Sequence, residues 1–596
     1  MKKILLALVV FIMSINTVAF ANNTDVWKDQ ILYFVLLDRF FDGNKDNCRQ
    51  VNPKNLQSFH GGDIAGLEQK LGYLEELGIT GIWVSPFLKN RPVEFYGQEA
   101  YHGYWPYDFF KIDERFGTEE ELKSLRSAMK ERNMRLLLDM VVNHMGYDAP
   151  FVNEHKDWFN PMVNIENWED KNELKNRCIF GLPDFASQKP EVRKFFCEVS
   201  KHWIELLQPD GFRLDAVKHI QDEFWADFNE NARKLSKSDF ILLGEYLDGN
   251  PDNLLSTWKS GGFDSLFDFP LYYTMKEVFG QEGDCRKLAS RLYFDRNYPD
   301  AGMLATVLDN HDLDRFVTSC KGKLDRYKLA MAFLMTVRGI PTLCYGDEQP
   351  LRGYHGKEPH NRCDMKFDTK SEIFAFTKQM IALRKSSEAL RRGVHCHLFA
   401  DKDLYMFARL LPSELVVVAF NNSNESKSFE IEFPFDIQNS AYVQDPFYGD
   451  LKCRATITCG TIKGTLAAKS FAIYMPKCMT DYYKPVYESY VKRFKDETAW
   501  GARKVTFSLT VEGEPAKGDY YLIGGCDELG NWNPDKAVLM KPAGAKAFEA
   551  TVELPVAKIV DCKCLTKNGS KISWQQGENT ILVVSKSDTQ AVGLSW

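Results

Sequence analysis

The sequence predicts an α/β chain: a (β/α)8 TIM barrel followed by an antiparallel β domain and a C-terminal β-sandwich. Three observations carry that reading. Eight short β-rich runs alternate with longer helical stretches between residues 27 and 394. Four acidic residues, Asp139, Asp215, Glu245 and Asp312, fall at or just beyond the C-terminal ends of such runs, the face on which barrel active sites are built. Beyond residue 394 the helical pattern gives way to alternating strands broken by Gly, Asn and Pro.

In chain order, Lys2 and Lys3 precede an apolar run from Ile4 to Met13, and Ala19-Phe20-Ala21 fits a small-x-small cleavage site. Residues 1–21 therefore read as an export signal, and a secreted protein, extracellular or periplasmic, is expected. The apolar run is too short for an anchor, and no later stretch suits a membrane span. The barrel is assigned to residues 22–394, with strands at Ile31–Leu37, Thr80–Ser85, Arg135–Val141, Gly211–Ala216, Ile241–Glu245, Phe263–Phe267, Leu304–Leu308 and Ile340–Tyr345. An open doubly wound sheet competes, but no Gly-rich phosphate loop follows the first strand. The polar, Asn-rich segment 144–184 reads as a subdomain inserted after the third strand. Residues 395–478 form the antiparallel domain, 479–501 a charged, Tyr-rich connector, and 502–596 the sandwich.

The 596 residues are 44% hydrophobic and 13% aromatic, as a packed globular chain requires. A net charge of −7 provides no electrostatic reason for a nucleic-acid partner, and a monomer is expected. The fourteen cysteines make no zinc pattern, and their pairing cannot be read from spacing. Cys562 and Cys564, two apart on one strand, share a face and are poorly placed to bridge each other.

Four segments carry the chemistry: Asp139-Met-Val-Val-Asn-His144, Gly211-Phe-Arg-Leu-Asp-Ala-Val-Lys-His219, Leu243-Gly-Glu-Tyr246 and Val307-Leu-Asp-Asn-His-Asp312. A strand tip is a stiff platform that holds carboxylates at defined separations. Glycosidic cleavage needs that arrangement: one acid protonates the leaving oxygen and one carboxylate stands opposite. Arg213, two residues before Asp215, points to the same side of its strand.

All four segments resemble the signature regions of the α-amylase family of glycoside hydrolases, in the family's order. The resemblance extends to His60-Gly-Gly-Asp63, Leu77-Gly-Ile-Thr-Gly-Ile-Trp-Val-Ser-Pro86, Tyr101-His-Gly-Tyr-Trp105 and Gly339-Ile-Pro-Thr342. It implies Asp215 as nucleophile, Glu245 as general acid/base, and Asp312 as the group that orients and distorts the sugar. Retention of configuration follows, with nucleophile and acid about 5–5.5 Å apart. It further implies Arg213 orienting the nucleophile, His144 and His311 on sugar hydroxyls, and Tyr104 stacked on the ring. Lys218 and His219 would bind α-1,4-linked glucan on the leaving-group side, and Asn361-Arg362 more distant sugars, although Glu358 stands where relatives often carry Asp.

Two Ca²⁺ sites are expected by resemblance, a cation that takes roughly 6–8 oxygens. One uses Asp42, Asn44, Asn47, Gly61 and Asp63, in a loop where Cys48 replaces a second Asn of cyclodextrin-forming enzymes; the other uses Asn143, Asp184 and the His219 carbonyl. Asp527-Glu-Leu-Gly-Asn-Trp532, Leu554-Pro555, Lys563 and Trp574-Gln-Gln-Gly-Glu-Asn579 resemble a starch-binding domain. There Trp532 and Trp574 would stack on glucose while Lys563 and Asn579 hydrogen-bond it; Gln575 stands where relatives often have Glu.

The expected substrate is starch and related α-1,4-glucans, and the expected activity is endo-hydrolysis. Transfer or cyclisation is the alternative, and a non-catalytic starch receptor is disfavoured by the intact carboxylate trio. Phe180 aligns with the aromatic around which cyclising enzymes wrap their chain. Leu247 stands where they carry an aromatic acceptor grip, and their extra β domain has no counterpart in the short connector.

Overall fold

In a computed structural model, the structure describes residues 23–47, 51–357, 360–435, 437, 440–443, 455–476, 481–586 and 589–596. The expected export signal, Cys48 and Glu358 lie outside these residues. No helix among them is long and apolar enough to cross a membrane.

The eight expected runs are the strands of one parallel barrel: β1 Leu32–Val35, β2 Gly81–Val84, β3 Arg135–Met140, β4 Gly211–Leu214, β5 Ile241–Gly244, β6 Ser265–Leu266, β7 Ala305–Val307 and β8 Ile340–Cys344. Their hydrogen-bonded order is β6-β5-β4-β3-β2-β1-β8-β7. A parallel bridge from Phe267 to Ala305 joins the two ends. Strands covered on both faces are largely apolar, which is why these read as hydrophobic runs, interrupted at the site end by Asp139 and Arg213.

The helices cover the barrel by the usual logic. In Glu119–Glu131, Thr118 and Glu121 form a reciprocal capping box, while Leu122, Leu125 and Met129 turn one stripe inward; such a cap contributes about 1 kcal/mol. In Glu372–Ser386, buried Arg384 donates to the carbonyls of Met335, Val337 and Gly339, satisfying the backbone that leads into β8.

Two four-stranded antiparallel sheets follow the barrel. In the first, Val394–Ala400, Leu404–Leu410, Leu415–Asn421 and Ser470–Tyr474 pair in that order. Successive side chains alternate between two cores: Tyr405, Phe407, Val416 and Val418 face the barrel, while Met406, Ala408, Val417 and Ala419 face the second sheet.

The connector differs from its plain expectation, since Lys484–Lys495 is an α-helix. Its Tyr490 hydroxyl donates to the His395 carbonyl at 2.7 Å, and its buried Arg493 donates to the Val556 carbonyl at 3.0 Å. One helix thereby ties the second unit to the third. The third is a two-sheet sandwich around Val505, Phe507, Leu522, Cys562 and Cys564, the two cysteines sharing its inner face without a bridge. Ile559 and Ile581 of the sandwich pack into the same apolar cluster as the barrel.

Candidate active site

A cleft of about 660 Å³ opens at the C-terminal end of the barrel. It brings together Tyr104, His144, Asp215, Lys218, His219, Glu245, His311, Asp312 and Arg362. Arg213 lies beneath them, fully buried.

Register explains the arrangement. Asp139 on β3 pairs with Arg213 on β4, and Leu214 pairs with Gly244 on β5, so Asp215 and Glu245 leave neighbouring strands side by side. Arg213 Nη1 donates to both oxygens of Asp139, at 2.9 and 3.1 Å, and to Asp215 Oδ1 at 2.6 Å. Its Nη2 stands 3.1 Å from Glu245 Oε2. One guanidinium is therefore shared by three carboxylates. Asp139 is further fixed by Trp83 Nε1 and the Tyr104 hydroxyl, each donating at 2.8 Å.

β4 ends at Leu214, short of the expected Ala216, because the chain turns there. Ala216 takes a left-handed φ of +52°, and its N–H donates to Glu245 Oε2 at 3.1 Å. That turn locks the Glu245 carboxyl against the nucleophile strand.

The electrostatics divide the acids. Burial, reinforced by Asp215 and Asp312 and opposed by Arg213, raises Glu245 to about 8. Burial also works to raise Asp312, but His311, Arg362 and Arg213 outweigh it and bring that carboxyl down to about 2. The contacts match: His311 Nε2 is 3.1 Å from Asp312 Oδ2, and Arg362 Nη2 donates to Oδ1 at 3.0 Å. Glu245 is thus poised to hold a proton at neutral pH and Asp312 to lack one. Burial keeps His144 and His311 neutral, lowering both.

The remaining expected contacts have defined neighbours. Tyr104 stacks on His311, centroids 5.0 Å apart at 6°, and its carbonyl accepts from His144 Nε2 at 3.0 Å. Asn361 Nδ2 donates to the carbonyls of His311 and Leu313, so Asn361 shapes the Asp312 loop. Lys218 Nζ lies 3.4 Å from Asp248, and His219 Nδ1 donates to the Leu174 carbonyl at 3.1 Å. Phe180, with a φ of +52°, is 75% exposed, and Leu247 is 37% exposed; both line the cleft.

Trp168 was not anticipated. It lines the cleft beside Phe180, ring centroids 6.0 Å apart. In the sequence it is one of several large aromatics of the Asn-rich insertion, beside Tyr147, Phe151, Trp158, Phe159 and Phe180, and nothing local sets it apart.

Several of the expected cation ligands carry buried oxygens with no hydrogen-bond donor. Asp184 is buried, accepts from Asn160 Nδ2 at 2.8 Å through Oδ2, and leaves Oδ1 without a hydrogen bond. Burial lifts its pKa well above the usual range, with Asn160 and Asn143 opposing. A buried carboxylate oxygen with no donor suits a hard cation, so this set fits. In the other loop, Asp42 Oδ1 and Asn47 Oδ1 are likewise buried without partners. Asp63 is already committed, accepting from Gly43, Asn44 and Gly66 N–H groups and from Asn47 Nδ2 while capping helix Ile64–Gln69. Asn44 is also engaged, donating to Glu121 Oε1 and accepting from the Asp46 N–H, and Gly61 takes a φ of +98° beside Asp42. Among the described residues, no cluster of three or more His, Cys, Asp or Glu forms a metal centre by itself.

In the sandwich, the Trp532 N–H donates to the Gly524 carbonyl at 2.9 Å, and Gly524 pairs with Cys562, next to Lys563. Lys563 Nζ donates to the Gly577 carbonyl at 2.6 Å. Trp574, 39% exposed, and Asn579 flank that turn. The four expected starch contacts therefore occupy one edge of the module.

A barrel with unequally protonated carboxyls grouped around one buried arginine, in an open cleft, is the architecture of a carboxylate glycosidase. Comparison with known proteins sharpens that class. Residues 34–370 match the α-amylase catalytic domain, and residues 503–593 match the starch binding domain. The chain belongs to the α-amylase family of glycoside hydrolases and carries a starch-binding domain. It is similar to a cyclomaltodextrin glucanotransferase of Klebsiella oxytoca, 28% identical over 99% of this chain and 98% of that protein. A solved α-amylase of Anoxybacillus is 33% identical with a TM-score of 0.70, covering 76% of this chain and 99% of that one. CldA, described as the first cyclomaltodextrin glucanotransferase with a three-domain ABC distribution, is 29% identical with the same TM-score and the same coverage.

Proposed function

We propose that this protein is a secreted α-amylase that cleaves internal α-1,4 bonds of starch by a retaining double displacement. The observation that carries the mechanism is the shared Arg213, which seats Asp215 beside a Glu245 whose carboxyl is raised to about 8. Asp215 attacks the anomeric carbon while Glu245 gives its proton to the leaving oxygen. Glu245, now a carboxylate, takes a proton from water, which attacks the glycosyl ester and releases Asp215. Asp312, held by His311 and Arg362, binds the hydroxyls of the distorted sugar.

Hydrolysis is favoured over transfer by Leu247, whose aliphatic side chain offers an acceptor sugar no ring at the exposed cleft edge. The short connector no longer bears on this choice, since CldA is described as a glucanotransferase of only three domains. Cyclisation remains the second reading, supported by exposed Phe180 and by the end-to-end likeness to the Klebsiella enzyme.

Calcium is proposed at Asn143, Asp184 and the His219 carbonyl, with Asp42 and Asn47 contributing oxygens to a second ion. Bound there, it supplies positive charge that ties the 144–184 insertion to the barrel. The reading is tested by digesting soluble starch and resolving products by chromatography and anomer-sensitive NMR. Linear maltooligosaccharides released first as the α-anomer are expected; abundant cyclic dextrins would replace hydrolysis with transfer, and β-anomers would overturn retention.

A further inference from the structure

At the end of the barrel opposite the catalytic cleft, a cavity of about 220 Å³ lies where three parts of the chain meet. Tyr298 and Arg338, which precede β7 and β8, supply the barrel wall. His395 and Arg409, cross-strand partners in the first antiparallel sheet, supply the facing wall. Phe494 of the helix Lys484–Lys495 closes the space. Pro299 is exposed and Arg392 half-buried, so the cavity has a mouth on the surface. Its volume is that of several waters, at roughly 30 Å³ each.

Three buried side chains of this lining have unused hydrogen-bonding capacity. Arg409 is 1% exposed and donates to backbone carbonyls alone, Nε and Nη2 to Gly393 and Nη1 to Thr336. A guanidinium carries five N–H groups, so one on each Nη is left over, and among the described residues Arg409 forms no ion pair. Beside it, buried Arg384 also meets only carbonyls, those of Met335, Val337 and Gly339. Burial, helped by Arg338 and opposed by Cys396 and Asp295, lowers Arg409 to about 9, as befits a cation short of counter-charge. The Tyr298 hydroxyl and His395 Nδ1 are buried with no partner among the described residues, in residues 7% and 9% exposed. Burial raises the Tyr298 pKa and so keeps its hydrogen in place. His395 Nε2 lies 2.9 Å from the Tyr405 hydroxyl; when that hydroxyl donates, Nδ1 carries the ring hydrogen and is a donor. The other lining cations are already matched, Arg338 by Asp268 and Asp295, Lys28 by Asp25 and Asp300, and Arg391 and Arg392 by Asp29.

We propose that this cavity binds one small oxyanion of the phosphate class, through the unused N–H groups of Arg409, the Tyr298 hydroxyl and His395 Nδ1. All three groups donate, and a planar guanidinium presents its N–H groups at the spacing of two oxyanion oxygens. A neutral ligand would leave the buried Arg409 charge uncompensated, which is costly. The bound anion fastens the base of the barrel to the antiparallel domain and the connector helix. It sits at the far end of the barrel from the carboxylates, so it stabilises the assembled chain without entering the sugar chemistry.

The test titrates the full chain, dialysed free of phosphate and sulfate at fixed calcium, with inorganic phosphate in a calorimeter and follows melting alongside. One phosphate per chain is expected to bind, and melting should rise with phosphate concentration but not with chloride at the same ionic strength. Tyr298→Phe deletes a hydroxyl that has no partner among the described residues, so melting without phosphate and starch cleavage should stay as they were. Its phosphate affinity should fall about tenfold, the scale of one hydrogen bond to a charged group. Arg409→Lys keeps the charge but gathers it on a single ammonium, and should weaken phosphate at least as much. Absence of binding heat in the unaltered chain, or an equal melting response to chloride, would overturn the site. So would unchanged phosphate affinity in Tyr298→Phe, or displacement of phosphate by maltotriose, which would place the anion in the catalytic cleft instead.

Discussion

Replacing Glu245 by Gln separates its two properties, the proton it donates and the burial that keeps the proton on. The side chain is isosteric, and its carbonyl oxygen can still accept from the Ala216 N–H and approach Arg213, which contact the present carboxyl at 3.1 Å each. Geometry should survive while proton donation is lost, so starch cleavage is expected to fall roughly 10²–10⁴-fold. An aryl maltoside with an acidic leaving group needs little protonation, so formation of its glycosyl ester should suffer far less. The stability consequence runs the other way. A carboxyl raised from 4.5 to about 8 is protonated in both folded and unfolded chains below about pH 4.5. Above that pH the unfolded chain sheds the proton more readily, so the folded state loses stability as pH rises toward 8. At pH 7 this amounts to at most about 3 kcal/mol, at about 1.4 kcal/mol per pH unit. Glu245→Gln should therefore melt higher than the unaltered protein at pH 7 and level with it near pH 4. Calorimetry at the two pH values, beside reducing-sugar release from starch, measures both effects. Starch cleavage within about tenfold of normal would refute the acid/base role, and equal melting at pH 7 would refute the account of its raised pKa.

In the unaltered protein the glycosylation rate should decline as pH rises through about 8, as Glu245 loses its proton; a flat single-turnover profile to pH 9 would contradict this. Asp184→Asn removes the buried carboxyl proposed to hold one of the two calcium ions, so chelator should lower the melting temperature less than in the unaltered protein, which should melt lower after calcium removal. Leu247→Tyr places a ring where an acceptor sugar would lie and should increase the transfer-to-hydrolysis ratio on maltotetraose, read by product chromatography. Trp574→Ala should reduce adsorption to granular starch about fivefold, with little change on maltotriose, as sedimentation assays would show.

The barrel was legible because its strands are buried on both faces and so appear as apolar runs. The alternation after residue 394 was legible for a related reason: Phe407 and Met406 serve different cores on opposite faces of one strand. The helix Lys484–Lys495 escaped notice because it docks through Tyr490 and Arg493 rather than an aliphatic stripe. At the site, spacing alone joined Arg213 to Asp215, two residues apart on one strand. The contacts of Arg213 with Asp139 and Glu245 depend on register between strands, which local pattern does not encode. Trp168 reaches the cleft only through the path of the insertion, so no periodicity marked it.

Arg213 and Arg362 bring two positive charges to a cleft wall that holds four carboxyl groups: Asp139, Asp215, Glu245 and Asp312. With Lys218 matched by Asp248 and one proton retained on Glu245, these groups are left with a formal excess of a single negative charge. The cleavage proposed here develops positive charge at the anomeric carbon in its transition state. The unmatched charge is therefore a counter-ion waiting in place, paired with a cation that exists only while the bond is breaking. An added lysine or arginine nearby would neutralise that excess in the resting protein and take the partner away from the reaction.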